Sequence, residues 1–286
     1  VAISFTDGFS VTLGRYYRDV GRKAPFLIGC FHGLSDLEFK APAPLRPLVA
    51  RIIKQALQRL DYVAFFGPAD REYGLRRYGL AAEKTGMILF GVDTDFWTPG
   101  SAPDKGYVFS VGQDTNRDFA TLVNAPVSIP VRVHTALSVA VPSERTNVVL
   151  THGSYQRSTL TDEELRELYR SALAVVVPLK DVYQPTGYSV TLQAMACGKA
   201  VILSRIRGLW ATELMRDGEN CLLVPPGDPH ALADAIRSLA DDAGLRSRLG
   251  QAARETVLRH FNLETGASST KQLIRLGLAQ HREGNP

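Results

Sequence analysis

The chain reads as an α/β protein of two halves, each a parallel sheet covered by helices. Three observations predict this. Short apolar runs of strand length, at 25–31, 62–66, 107–111 and 173–177, alternate with stretches of helical period. The run 173–177 is apolar throughout, the mark of a strand buried on both faces. The alternation breaks once, over residues 91–100, and restarts at Tyr107, so the chain of 286 residues divides into two domains of ordinary size.

Residues 1–5 are a strand candidate, followed by Asp7-Gly8 and a helix over 9–23. The strand 25–31 ends in His32-Gly33-Leu34-Ser35-Asp36, a loop at the carboxyl end of a parallel strand, where open sheets place their ligands. A helix spans 44–60, with Leu48, Ile52, Ala56 and Leu60 spaced in fours. A strand at 62–66, a helix at 68–78 and a strand at 87–90 complete the first half. The second half runs through a strand at 107–111, a turn at 112–118, a helix at 119–123 and strands at 130–134 and 147–150. Thr161 with Glu164 three residues on has capping-box form and opens a helix that runs to Ala172. The strand 173–177, a polar loop, a helix at 188–197 and a strand at 200–203 follow. Beyond them lie a helix near 210–215, a tight turn at 216–220 and a strand at 221–224. Asp228, as N-cap before Pro229, opens another helix. Two long helices, 244–260 and 265–279, close the chain.

Composition narrows the class. Apolar residues make up 45% and charged residues 22%, as in soluble globular proteins. Cys30, Cys197 and Cys221 are odd in number and widely spaced, which points to reduced thiols in the cytoplasm and not to disulfides or zinc. No apolar run approaches the ~20 residues of a membrane span. The net charge of +4 permits contact with anionic lipid or a phosphorylated substrate, though a merely basic soluble surface is the better account. The chain opens without Met on an apolar run, with no signal peptide, and is expected to lack its first βα units.

The stretch 178–204 carries the chemistry. A strand buried on both faces leads to a loop holding Pro185 and Gly187. A helix then starts at Tyr188, and Gly198 is placed to end it with a left-handed cap. The first amides of a helix lack intrahelical partners, and the helix dipole adds positive charge there. The amides of Gly187, Tyr188, Ser189 and Val190 therefore form a candidate phosphate site.

At these residues the chain resembles the retaining glycosyltransferases of GT-B architecture, in particular the large family 4-like group (glycosyl transferases group 1). Residues 90–94, FGVDT, resemble the segment before that family's interdomain linker. Ser110-Val111-Gly112 with Arg117 resembles its Gly-Arg turn. Residues 193–202, QAMACGKAVI, resemble its signature helix and strand, and the tail RDGENCLLVPPGDPHALA is a close match. The resemblance implies two Rossmann-like domains facing across a cleft: a partial acceptor-side domain over 1–100, a nucleotide-sugar domain over 101–262, and a C-terminal helix, 263–286, packing back toward the first. It implies transfer of a hexose from a UDP-, GDP- or ADP-linked sugar to a saccharide, lipid-linked or small-molecule hydroxyl. Retention of configuration, front-face transfer, and no metal or cofactor are implied with it. The expected setting is the cytoplasm, with peripheral contact at the inner membrane face left open and no nucleic acid as partner.

The family pattern carries over residue by residue. Arg117 stands within one residue of the phosphate-binding lysine, and its planar fork suits a diphosphate. His32 would line the donor sugar and share in catalysis with Arg117. Gln193 replaces the glutamate that bonds the ribose, with Gln184 beside the sugar. Pro185 replaces the first signature glutamate. His152, Gly153 and Ser154 follow a strand and would meet the base. Each has a plainer reading: His32 as a turn residue, Arg117 as a surface charge, 152–154 as a simple loop. Asp7-Gly8 either faces the acceptor or only turns the chain. Asp93 and Asp95 have metal-pair spacing but lie in the linker and read as structural. Cys197 and Trp210 read as core. Two rivals stand beside this reading: a non-catalytic nucleotide-sugar binder, which the missing glutamates support, and a sugar-nucleotide 2-epimerase, which would need cleft carboxylates and which the Gln and Pro argue against.

Overall fold

The computed structural model describes residues 1–20, 25–153 and 159–283. The first lobe comprises β1 (Ala2–Ser4), α1 (Asp7–Val20), β2 (Leu27–Phe31), α2 (Leu34–Phe39), α3 (Arg46–Leu57), β3 (Tyr62–Phe65), α4 (Pro68–Tyr78) and β4 (Thr85–Met87). The second comprises β5 (Val108–Val111), α5 (Phe119–Asn124), β6 (Val131–Thr135), β7 (Val148–His152), α6 (Asp162–Ser171), β8 (Ala174–Val177), α7 (Tyr188–Ala196), β9 (Val201–Ser204), β10 (Leu222–Val224), α8 (Pro229–Asp241) and α9 (Ala243–His260). The last helix, α10 (Leu263–Glu283), returns to the first lobe.

Both sheets are parallel. The first has strand order β1-β2-β3-β4, the second β10-β9-β8-β5-β6-β7. Their central strands, β2, β3 and β8, are buried at every residue, as continuous apolar runs require. In the second sheet the chain moves outward from β5 to β6 and β7, then returns to add β8, β9 and β10 on the other side. The order reverses between β5 and β8, and the loops leaving these strands part there to open a crevice.

Local signals set the helix ends. Thr161 accepts from the Glu164 amide while the Glu164 carboxylate accepts from the Thr161 amide, closing the capping box on α6. Asp228 accepts from the His230 and Ala231 amides at the start of α8. Gly198, at φ 70°, ends α7: its N–H donates to Met195 O and that of Lys199 to Ala194 O, the paired bonds of a Schellman cap.

Four expectations are corrected. The strand expected at 87–90 is β4, two residues earlier; Ser269 of α10 accepts the Leu89 amide at 3.1 Å and draws the chain off the sheet. Residues 210–215 form turns, pinned by buried Trp210 and Met215, too short a stretch to propagate a helix. The loop expected over 32–36 is shorter, since α2 starts at Leu34. The core face of α3 is Ala50, Ile53, Ala56 and Leu57, while Leu48 is 57% exposed. Spacing in fours drifts around a 3.6-residue helix and does not fix which stripe is buried.

Two strands of chain join the lobes side by side. The Val92 amide donates to Phe261 O at 2.8 Å, and Val92 bridges to Asn262. Leu273 of α10 is buried with Phe26, Ile28 and Ile88 of the first lobe.

In that lobe α1 lies so close to α3 that a Cβ on Gly14 would overlap the Ala56 carbonyl oxygen. Backbone cannot yield as a side chain can, so Gly14→Ala should destabilise the lobe by about 1–3 kcal/mol. A lowered urea midpoint by circular dichroism checks this; an unchanged one would mean that the helices can separate freely.

Candidate functional site

The crevice between β5 and β8 holds a cavity of about 580 Å³. The turn after β5 contributes Gly112, Gln113, Asp114 and Arg117; the loop after β8 and the start of α7 contribute residues 184–190; His32 and Phe90 close it from the first lobe. A smaller space of about 150 Å³ adjoins it through Gly112, Gln113 and Val190, and is lined further on by His134, Gly153, Asp162 and Gln193.

Arg117 is only 7% exposed, yet it lines the larger cavity. Its guanidinium fits between two glycines. A Cβ on Gly187 would stand 3.0 Å from its Nη1, and one on Gly112 would overlap its Nε. Both have positive φ, 78° at Gly187 and 152° at Gly112, so glycine there supplies both room and backbone freedom. The Arg117 amide donates to Asp114 O, and its backbone bridges to Leu179 beside β8. Gly187 is also the N-cap of α7, and no side chain caps that helix. Residues 187–190, at this uncapped start, line the same cavity as Arg117, a combination that can hold an anion.

His32 reaches across from the first lobe. Its Nε2–H donates to Phe5 O at 3.0 Å, which leaves Nδ1 to accept from the Tyr188 hydroxyl at 2.8 Å. The ring stacks on Phe66 at 4.0 Å. Burial pulls this imidazole below the usual histidine range, against the nearby Asp7 carboxylate, so it is neutral at pH 7. Two carboxylates hold the backbone that carries it. Asp7 Oδ1 accepts the amides of His32 and Gly33, at 2.9 and 3.0 Å. Asp70 accepts those of Leu34 and Ser35, at 2.8 and 2.9 Å, and the Ser35 hydroxyl at 2.7 Å. Four successive amides are thus fixed from helices α1 and α4.

The loop after β8 meets the first lobe directly. Gln184 accepts from Asn116 Nδ2 at 2.7 Å, and its side chain fills the space where Gly33 lacks a Cβ. Pro185 lies against Gly67 in the same way, and the Tyr183 ring lies 5.8 Å from that of Tyr73.

The larger cavity thus gathers His32, Arg117, Gln184, Gly187, Tyr188, Ser189 and Val190. Gln193 lines the smaller space with Gly153, and its Oε1 accepts from the Tyr169 hydroxyl at 3.3 Å. His152 is not brought in: it ends β7 exposed, outside both linings. The inward histidine is His134, at the end of β6. The Thr151 hydroxyl donates to Val133 O, so it accepts from His134 Nδ1–H, leaving His134 Nε2 as an acceptor. Ser154 lies outside the described residues. Sequence reasoning missed His134, Gln113 and Asp114; the strand-end rule that singled out His32 covers all three. Asp93 accepts from the amides of Asp95 and Phe96 and is a turn residue. Burial pushes all three cysteine thiols up to about 12, which makes them inert. Among the described residues no group of three or more His, Cys, Asp or Glu is placed to hold a metal ion.

Two parallel α/β lobes facing across a crevice at a strand-order reversal define a protein of the GT-B architecture. The match to solved structures agrees. Sucrose-phosphate synthase from Thermosynechococcus elongatus superposes with a TM-score of 0.77 over 96% of this chain and 73% of that one, at 24% identity. HepE of Anabaena, solved in complex with UDP, superposes with a TM-score of 0.72 over 96% and 77%, at 17% identity.

Residues 135–242 match the family described as glycosyl transferases group 1. Alpha-maltose-1-phosphate synthase of Mycolicibacterium smegmatis is 26% identical over 89% of this chain and 75% of its own length. The enzyme of that name from Mycobacterium tuberculosis is 27% identical over 66% of this chain, which there spans 56% of the relative.

The clamp on the His32 loop gives a pH prediction. Burial raises the Asp70 carboxyl from 3.8 to about 6, overriding its hydrogen bonds. A raised folded-state value means a stabilising contribution that is complete below about pH 3.8 and lost as pH rises through about 6. Asp70→Asn has no such dependence. Between pH 4 and 7 the stability difference should move in its favour by about 2.5 kcal/mol, at about 1.36 kcal/mol per unit. Urea unfolding across that range measures it; parallel curves would show that Asp70 keeps an ordinary carboxyl.

Proposed function

We propose that this chain transfers a hexose from a nucleoside-diphosphate sugar to an acceptor hydroxyl, with retention of anomeric configuration and without a metal. One observation carries the reading: Arg117 and the uncapped start of α7 face one cavity at the strand-order reversal. HepE, which shares the fold, was solved with UDP and with UDP-glucose, which supports a diphosphate-linked donor in this crevice.

The diphosphate sits against the amides of Gly187, Tyr188, Ser189 and Val190 and the Arg117 fork. The ribose lies toward Gln193, and the base enters the smaller space beside Gly153 and His134. The sugar faces His32 and Gln184. As the bond from C1 to the diphosphate oxygen breaks, C1 gains oxocarbenium character and negative charge grows on the leaving group. Fixed donors stabilise that charge without reorganising. The leaving phosphate then takes the acceptor proton on the face it departs from. No enzyme carboxylate is needed at Pro185 in such a step. Neutral His32 cannot repel the cationic sugar, and its ring orients through Tyr188 and Phe5. The three free cysteines suit the reducing cytoplasm. Among the described residues no helix is long and apolar enough to cross a membrane.

Arg117→Ala should lower kcat by about 100- to 1000-fold, the effect of losing one donor of about 2.7–4 kcal/mol. Turnover assays with UDP-, GDP- and ADP-sugars on a panel of acceptors test it, with folding checked by circular dichroism. A rate within about twofold of the parent would remove Arg117 from catalysis.

A second reading, a binding protein without turnover, is favoured by Gln193 and Pro185 at the two signature glutamate positions. Saturating the site with its nucleotide at about a hundred times Kd should add about 2.7 kcal/mol of stability in a thermal shift. Such a shift with no transfer would favour the binder. Epimer formed from a UDP-sugar alone would instead indicate the epimerase.

A further inference from the structure

Residues 39–60 contain five cations, Lys40, Arg46, Arg51, Lys54 and Arg59, and no Asp or Glu. The same stretch exposes three large apolar side chains: Phe39 at 43%, Leu45 at 50% and Leu48 at 57%. They share one corner of the first lobe. Phe39 ends α2, a 3-10 turn over Ala43–Leu45 follows, and Leu48 lies in the first turn of α3. Arg46 ties them together: its guanidinium lies 5.8 Å from the Phe39 ring centroid and donates to Phe39 O at 3.2 Å.

Along α3 the exposed stripe steps by threes from Leu45 and Leu48 to Arg51 and Lys54, opposite the buried Ala50, Ile53 and Leu57. Apolar groups lead and cations follow. The acids that border the stretch are engaged elsewhere: Glu38 pairs with Arg77 at 2.6 Å with its side chain 7% exposed, Asp61 accepts the Leu27 amide at 2.7 Å, and Asp36, 13% exposed, pairs with Lys40 at 3.0 Å.

We propose that this corner docks on an anionic lipid bilayer. Phe39, Leu45 and Leu48 enter the headgroup–acyl boundary, while Arg46, Arg51 and Lys54 meet lipid phosphates. Charge complementarity selects an anionic surface, and the apolar tip selects a bilayer over a nucleic acid, which offers no hydrocarbon to bury Leu45 and Leu48. The patch also lies close to the crevice. Its Phe39 ends the six-residue α2, whose other end follows Gly33 against Gln184, about 9 Å away at 1.5 Å per residue. Docking there presents the crevice to acceptors held in the membrane.

The test is co-sedimentation of the full chain with vesicles of phosphatidylcholine alone and of phosphatidylcholine with 30% (roughly, a typical anionic fraction) phosphatidylglycerol. Binding is expected on the anionic vesicles only, falling with salt. Arg51→Glu with Lys54→Glu should weaken it at least about 25-fold, about fivefold for each cation lost. Leu45→Ser with Leu48→Ser should weaken it on the same vesicles. Neither pair lies in the crevice, so nucleoside-diphosphate thermal shifts and circular dichroism serve as folding controls. Equal binding to both vesicle types, no binding to either, or binding unchanged in both variants would overturn the proposal. So would a dimer in sedimentation velocity that the leucine variant dissolves, which would assign the corner to a second copy of this chain.

Discussion

Everything in the crevice depends on one topological constraint. The second sheet grows outward from β5 in one direction and then in the other, so the loops after β5 and β8 cannot close over each other. That gap admits the Arg117 guanidinium, and only because Gly112 and Gly187 carry no side chains to fill it. With the cation buried there, the start of α7 adds its dipole to the same sign of charge, which favours an anion over a neutral ligand. The first lobe contributes positioning more than charge. Asp7 and Asp70 hold the His32 backbone, and Tyr188 and Phe5 hold its ring.

Much of this was legible in the sequence because it is local. The buried strands, the Thr161 box, the Asp228 cap and the Gly198 terminator each rest on residues within a few positions of one another. Their chemistry reads without knowledge of the fold. Arg117 and residues 187–190 were legible for a related reason: a turn after a strand and a helix start are local objects that a parallel sheet brings together by rule.

The unread parts are long-range. Asp70 meets Ser35 across 35 positions, and His32 meets Tyr188 across 156. No spacing rule connects such pairs. His134 was passed over for His152 because adjacent strand ends look alike until the pairing register sets which ring turns inward; Thr135 pairs with His152, and His134 with Thr151. Leu48 shares the spacing in fours along α3 yet is exposed, because a helical spacing does not by itself say which stripe is buried. The early end of β4 depended on Ser269, a residue of another element nearly two hundred positions away.

The side-by-side crossings at Val92 and Phe261 have a mechanical consequence. Two tethers pinned together by a hydrogen bond behave like a door hinge: they permit swinging about the line through them and resist sliding or twisting. The loop carrying Gln184 and Pro185 meets Gly33 and Gly67 at a second place, so any swing about that line has to part these contacts.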